Sequence, residues 1–396
     1  MKNTSRLIFT GDIGFDSYME GRFKDPKILA PEVLGFLHSG DHVVANVEGA
    51  LIDRSEAIDV HNKKHLFHTM DPGAIEFLRL IKADIWDFAN NHTMDSGGKG
   101  LLSGIRLAAE NGCLTVGAGA NIEEASSPVI INEAGGIGII AAGYQPICVA
   151  AGEDSPGVLA CTDLERVGAS IRRVKERCRW CVVVPHNGEE FGILPAPYTR
   201  RLYLDYLEMG ADLVIAHHPH VPMNYELLPG KAIFYSLGNF IFDTNYQRAQ
   251  MHTDEAVLLG VNFTEESFSF DAFPIHILRG SETVERGALQ PVFTNVSGEE
   301  YELLKYMSAK AFLENEKRRQ IFQRPDIYGA YREEDWVEYY ASGERESRIA
   351  GVHHDLSCYA ELAAQASNGS FEKSRMEELK KYILEMIPTD RDTEEI

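Results

Sequence analysis

Three histidines fall within four residues at His217-His218-Pro219-His220, directly after the apolar run Leu213-Val214-Ile215-Ala216. Imidazole is a common metal ligand near neutral pH. The proline between His218 and His220 stiffens the loop that would carry them. Five further blocks put polar residues at or next to the ends of apolar runs. Leu7-Ile8-Phe9-Thr10-Gly11-Asp12 ends in a carboxylate, a hard oxygen ligand. In Asn46-Val47-Glu48 the two polar residues are two apart and share a face if the chain is extended. A glutamate is rarely buried without a partner, and a cation would be one. Asn90-Asn91-His92-Thr93-Met94-Asp95 offers amide oxygens for a metal and an imidazole able to act as an acid. His186 closes Cys181-Val182-Val183-Val184-Pro185 and leads into Asn187-Gly188-Glu189-Glu190. The last block is Ser236-Leu237-Gly238-Asn239, where Asn239 either faces the site or holds the turn. A mixed oxygen and nitrogen donor set of this kind suits Mn, Zn, Fe or Mg rather than an iron–sulfur cluster.

Such residues can meet only if the elements before them deliver them to one edge. In open α/β sheets the loops at the carboxyl ends of the strands converge. Strands are expected at residues 7–10, 42–47, 85–89, 138–142, 181–185, 213–216 and 232–236. Helical patterns alternate with them at 72–83, 98–110, 162–179 and 199–209, which makes the fold class α/β. Thr162 and Glu165 have capping-box spacing. Residues 256–263 and 267–278 read as a hairpin. Gly135-Gly136-Ile137-Gly138 precedes a strand and does not open a helix, so it reads as a turn, not a phosphate loop. After about residue 290 the pattern becomes helical and charged, at 299–320, 355–366 and 372–386. The expected division is a core domain over 1–290 and a helical C-terminal region over 291–396.

The chain has 396 residues and a net charge of −22. Nucleic-acid affinity comes mainly from cations that neutralise phosphates, so this balance argues against a nucleic-acid partner. A small-molecule or polymer substrate is expected instead. Cysteines at 113, 148, 161, 178, 181 and 358 form no disulfide framework. Cys178 and Cys181 have redox or zinc spacing but no second pair, and they read as small buried residues. No apolar run reaches the ~18 residues of a membrane span, and the basic start is followed by too few apolar residues for a signal peptide. The expected location is cytoplasmic. Oligomeric state has no signature in the sequence.

The ordered motifs Gly-Asp, Asn-x-Glu, Ala-Asn-Asn-His-x-x-Asp, His-x-Gly-x-Glu, His-His-Pro-His and Ser-Leu-Gly-Asn-Phe, spread from Gly11 to Phe240, resemble the CapA family of poly-γ-glutamate capsule-biosynthesis proteins. That family is a branch of the calcineurin-like metallophosphoesterases. The resemblance runs from about Leu7 to Asp243. It implies a β-sandwich flanked by helices, with one or two divalent metal ions. By the same resemblance Asp12 and His220 would serve one metal, Glu48 would bridge, and Asn91, His186 and His218 would serve the other. His92 would be the general acid that protonates the leaving oxygen. Asn239 and Glu190 are assigned to substrate contact. The chain departs from the wider superfamily at Asp12-Ile13-Gly14, where Asp-x-His is usual, and at Glu48, which replaces a bridging aspartate. Asp16 and Asp41 are the candidates to make up the missing ligand. The expected activity is metal-dependent hydrolysis of a phosphate ester. Hydrolysis of a γ-glutamyl amide and a non-catalytic accessory role in capsule synthesis are the alternatives.

Overall fold

Leu7, Phe9, Val182, Val184, Leu213 and Ile215 are wholly buried in strands whose neighbouring residues are apolar too. A strand that is apolar on both faces must be covered on both. The structure, a computed structural model, describes residues 2–60, 67–144, 147–248, 250–318 and 373–385. It meets the requirement with two stacked sheets. The first runs in the order Thr283–Arg286, Phe268–Leu278, Glu255–Thr264, Thr4–Ile13, His42–Val47, Ile85–Asp87, Leu114–Val116, and Asn239–Ile241 also pairs with Thr4–Ile13. The second runs Tyr225–Leu228, Lys231–Phe234, Leu213–Ile215, Trp180–His186, Ile137–Gly143, Val129–Ile131.

One apolar cluster joins the facing sides, with Leu7, Phe9, Val44 and Leu259 from the first sheet and Ile139, Val182, Leu213 and Phe234 from the second. The outer side of the first sheet is covered by Pro31–Leu37, Ile75–Leu80 and Gly97–Glu110 through Val33, Leu37, Phe77 and Leu101. Leu164–Lys175 and Pro197–Met209 cover the second through Val167, Ile171, Val174, Tyr203 and Leu207. The result is the sandwich flanked by helices that the family resemblance implies.

Local details differ from the expectations where backbone geometry overrides pattern. The helix expected at 72–83 is a turn of 3-10 helix, Pro72–Ala74, capped by the Asp71 side chain, followed by Ile75–Leu80. It stops because Lys82 takes a left-handed φ of 57° to turn toward the next strand. The cap of Leu164–Lys175 is Asp163, which accepts from the Arg166 backbone N–H, not Thr162. The glycine turn is as expected: Gly135 and Gly136 have φ of 77° and 93° and join antiparallel strands. Cys178 and Cys181 are buried and free.

The C-terminal region contributes Gly298–Arg318 and Lys373–Glu385. The helix expected at 355–366 lies outside the described residues. Leu304, Met376 and Leu379 of these helices pack on Ile193, Leu194 and Val292. Tyr301 Oη donates to the Pro195 carbonyl, and the Tyr382 ring lies 4.8 Å from that of His252. Among the described residues no helix is long and apolar enough to cross a membrane.

Candidate metal centre

Strand register sets the site. Asn239, Asp12, Asn46 and Asp87 lie side by side on four adjacent strands of the first sheet, all parallel. On the second sheet His186 ends its strand and bridges to His217. Because the sheets stack face to face, the two polar rows meet. Asn46 Nδ2 donates to Asp12 Oδ1 at 2.7 Å and lies 3.4 Å from His186 Nδ1. Asp12 Oδ1 is 3.4 Å from His217 Nδ1, and Asp12 Oδ2 is 3.2 Å from His220 Nδ1.

A close backbone approach makes this possible. The Asp12 N–H donates to the Gly238 carbonyl at 3.0 Å, and Gly11 sits where any Cβ would run into that carbonyl. His218 and His220 both have left-handed φ, 100° and 61°. That conformation is costly for a residue with a side chain, and here it turns both imidazoles inward.

Two groups of ligand-type atoms result. Asp12, Glu48 and His186 each place one such atom within 4.8 Å of the others, and so do Glu190, His218 and His220. His220 touches both groups, since its Nε2 is 3.9 Å from Glu48 Oε1. The grouping differs from the one expected by resemblance. Glu190, assigned to substrate, joins the histidines; its Oε1 is 3.9 Å from His218 Nε2, and its Oε2 accepts from Tyr246 Oη at 3.0 Å. Asn91 Oδ1 lies 2.8 Å from His186 Nε2, which is also 3.6 Å from Glu48 Oε1. Asn239 is spent inside the protein. Its Oδ1 is 2.9 Å from His220 Nδ1, and its Nδ2 donates to Gln247 Oε1 and the Thr253 carbonyl. Asp41 is no ligand substitute, because it precedes its strand and pairs with Lys2 and the Arg6 backbone N–H at the opposite edge. Asp16 is tied to His68.

The fit to a divalent cation rests on Glu48. It is fully buried, and neither carboxylate oxygen has a hydrogen-bond partner. Burial, then the Asp12 charge, pushes its carboxyl well above the usual range. Burial also opposes ionisation of Asp12, but His217 and His220 outweigh it and hold that carboxyl well below its usual value. His186 is held neutral by burial and by His218, the form in which imidazole ligates. For His220 burial disfavours the cation, yet Glu48 and Asp12 lift it to about 9. A buried, unpartnered glutamate beside a second carboxylate and several imidazoles has the donor chemistry of a divalent metal site.

Residues 6–244 match the family described as bacterial capsule synthesis protein PGA_cap, and every residue of both groups lies in that span. The chain belongs to this family. A PGA_cap relative, the PGA biosynthesis protein CapA of Bacillus subtilis (strain 168), is 29% identical over 247 residues, 61% of this chain and 64% of the relative. The capsule biosynthesis protein CapA of Bacillus anthracis is 26% identical over 261 residues, 64% of this chain and 62% of that one. The PGA_cap chain thus spans less than two thirds of the length of these curated relatives. A 5'-nucleotidase precursor from Thermus thermophilus aligns over 81% of this chain and 60% of its own, with 11% identity and a TM-score of 0.42.

Sequence reasoning missed three residues at the PGA_cap site. His217 was visible in the triple-histidine motif but had no role; its contact with Asp12 depends on the two sheets stacking. Asp87 stands at a strand end, and its register with Asn46 could have flagged it. Burial pushes its carboxyl up to about 7, against the Ala89 N–H that it accepts. His68 carried no signal. A first test concerns Asn239: the variant Asn239→Ala removes the partner that fixes the His220 ring and is expected to weaken metal affinity by ~10–100-fold, the usual cost of losing an outer hydrogen bond to a ligand. Chelator competition measures it, and unchanged affinity would show that the Asn239 amide only holds the turn.

Proposed function

We propose that this chain is a metal-dependent hydrolase acting on a phosphate ester. The observation that carries the reading is the pair of three-residue groups, Asp12–Glu48–His186 and Glu190–His218–His220, brought together where His220 Nε2 lies 3.9 Å from Glu48 Oε1. These six residues would hold one or two ions, of Mn, Zn, Fe or Mg. A divalent cation there would supply Lewis acidity, making water a nucleophile near neutral pH and offsetting charge on phosphoryl oxygens. His92 supplies the proton. Its Nδ1 lies 2.8 Å from Asp95 Oδ2, so the N–H on that side donates to the carboxylate and Nε2 is the atom for the leaving oxygen. Asp95, wholly buried, also accepts the His68 backbone N–H at 2.9 Å and so fixes the ring's position.

The test pairs elemental analysis with turnover of a phosphate-ester panel. Wild type should carry near-stoichiometric metal and hydrolyse at least one ester class. His92→Ala should lower kcat by about 10²–10⁴-fold, the usual share of a general acid, with metal content retained. Metal lost in parallel would remove the acid role. The names of the relatives favour a second reading, in which the same site acts in poly-γ-glutamate capsule synthesis. Cleavage of γ-glutamyl peptides with no ester turnover would favour that reading; tight metal binding with neither activity would favour an accessory role.

A further inference from the structure

We propose that His68 is a second substrate-contacting imidazole of this site, paired with His92 and directed at the anionic oxygens of a phosphomonoester. The inference rests on the hydrolase reading and deepens it. Its basis is placement. Glu48 is followed by Gly49, with φ of 126°, and then by the short strand Ala50–Leu51, which pairs with Thr69–Met70. That pairing carries His68 back beside the glutamate; the Ala50 N–H donates to the His68 carbonyl at 3.4 Å. Only 7% of His68 is exposed.

Its ring is held as firmly as that of His92. Nδ1 is hydrogen-bonded to Asp16 Oδ2, while the backbone N–H donates to Asp95 Oδ2, the oxygen that also takes His92 Nδ1. One carboxylate oxygen thereby locks the positions of both histidines. The two rings meet edge to face with centroids 4.2 Å apart. On the other flank the Phe242 ring lies 5.1 Å from His68 and 5.1 Å from His220, linking the histidine pair to the ligand groups.

With Nδ1–H committed to Asp16, Nε2 is the ring's remaining polar atom, and it makes no hydrogen bond among the described residues. A side chain so buried and so fixed, with one ring nitrogen unspent, is built to meet a ligand. The ligand groups nearby include the carboxylates of Asp12, Glu48 and Glu190, which repel an anion. In the imidazolium form the two carboxylate-backed rings supply Nε2–H donors side by side where a dianionic phosphate would project oxygens away from the ligand groups.

The experiment uses the full chain loaded with Mn, and the probe is inorganic phosphate, titrated by calorimetry. His68→Ala should bind phosphate roughly tenfold more weakly, the worth of one charge-assisted hydrogen bond, with wild-type metal content. Asp16→Asn should fall between the two. His68→Gln, which keeps bulk and a donor, should recover part of the loss. Against a phosphomonoester the alanine variant should raise KM more than it lowers kcat. Unchanged phosphate affinity in His68→Ala would overturn the assignment, and so would metal lost together with phosphate, the mark of a structural role. A wild type that holds metal but binds no phosphate overturns it too. If wild type binds phosphate with His68-dependent affinity yet turns over no ester, the contact stands and the hydrolase reading falls.

Discussion

Replacing Glu48 with glutamine is expected to weaken metal binding by ~100-fold or more, above the cost of losing an outer contact, while raising the melting temperature of the metal-free protein. The two effects have one cause. Both Glu48 oxygens are buried and unpartnered, and Asp12 is close enough to oppose a second negative charge. At neutral pH, folding the metal-free chain must either bury that charge or take up a proton, and both are unfavourable. Glutamine has no charge to bury, so the apo form should gain about 1 kcal/mol or more, a rise of a few degrees. The sign with pH follows from the raised folded value: the gain belongs to pH above the unfolded carboxyl value and vanishes below about pH 4, where the group is protonated in both states. Thermal melts with and without chelator, with a metal titration, check both halves. A glutamine variant that keeps its metal and is less stable without it would mean that Glu48 is satisfied inside the protein and is no ion-binding group.

The second large effect concerns Gly11→Ala. A Cβ at Gly11 would lie well inside contact distance of the Gly238 carbonyl oxygen and 3.0 Å from the Phe240 backbone nitrogen. Neither atom can swing away, because both belong to the strand connection that places Asn239 opposite Asp12. The variant is expected to lose ~3 kcal/mol or more, the upper range for overpacking, and most of its metal affinity. Gly35→Ala is the matched control: nothing lies within 4 Å of its Cβ position, and it sits on the exposed face of the helix Pro31–Leu37. There alanine should stabilise by about 0.5–1 kcal/mol. Denaturant melts on both variants decide the matter, and a Gly11→Ala protein as stable as wild type would remove the close approach as a constraint.

The sheets were readable because their strands are short apolar runs, and the site blocks were readable because each follows such a run. Asp12, Glu48, His186, Glu190, His218 and His220 do come together. Their grouping was not readable. It depends on left-handed φ at His218 and His220, which no residue type announces, and on how two sheets face each other. Glu190, expected at the substrate, stands beside His218, where Gly188, with φ of 136°, turns the chain after His186. Asn239 was open between two readings, and its partners Gln247 and Thr253 lie in a segment with no motif of its own. His68 comes from outside every strand-end block; only the pairing of Ala50–Leu51 with Thr69–Met70 brings it in.

The family match ends at residue 244, yet the cluster built by the C-terminal helices rests on Ile193 and Leu194, three and four residues past Glu190. Tyr301 holds the Pro195 carbonyl, and Tyr382 lies against His252, next to the Thr253 carbonyl that anchors Asn239. Two loops of the family core therefore lean on a platform the family does not define. A substitution in that platform would reach Glu190 and the Asn239–His220 pair through these loops without any ligand-type residue changing.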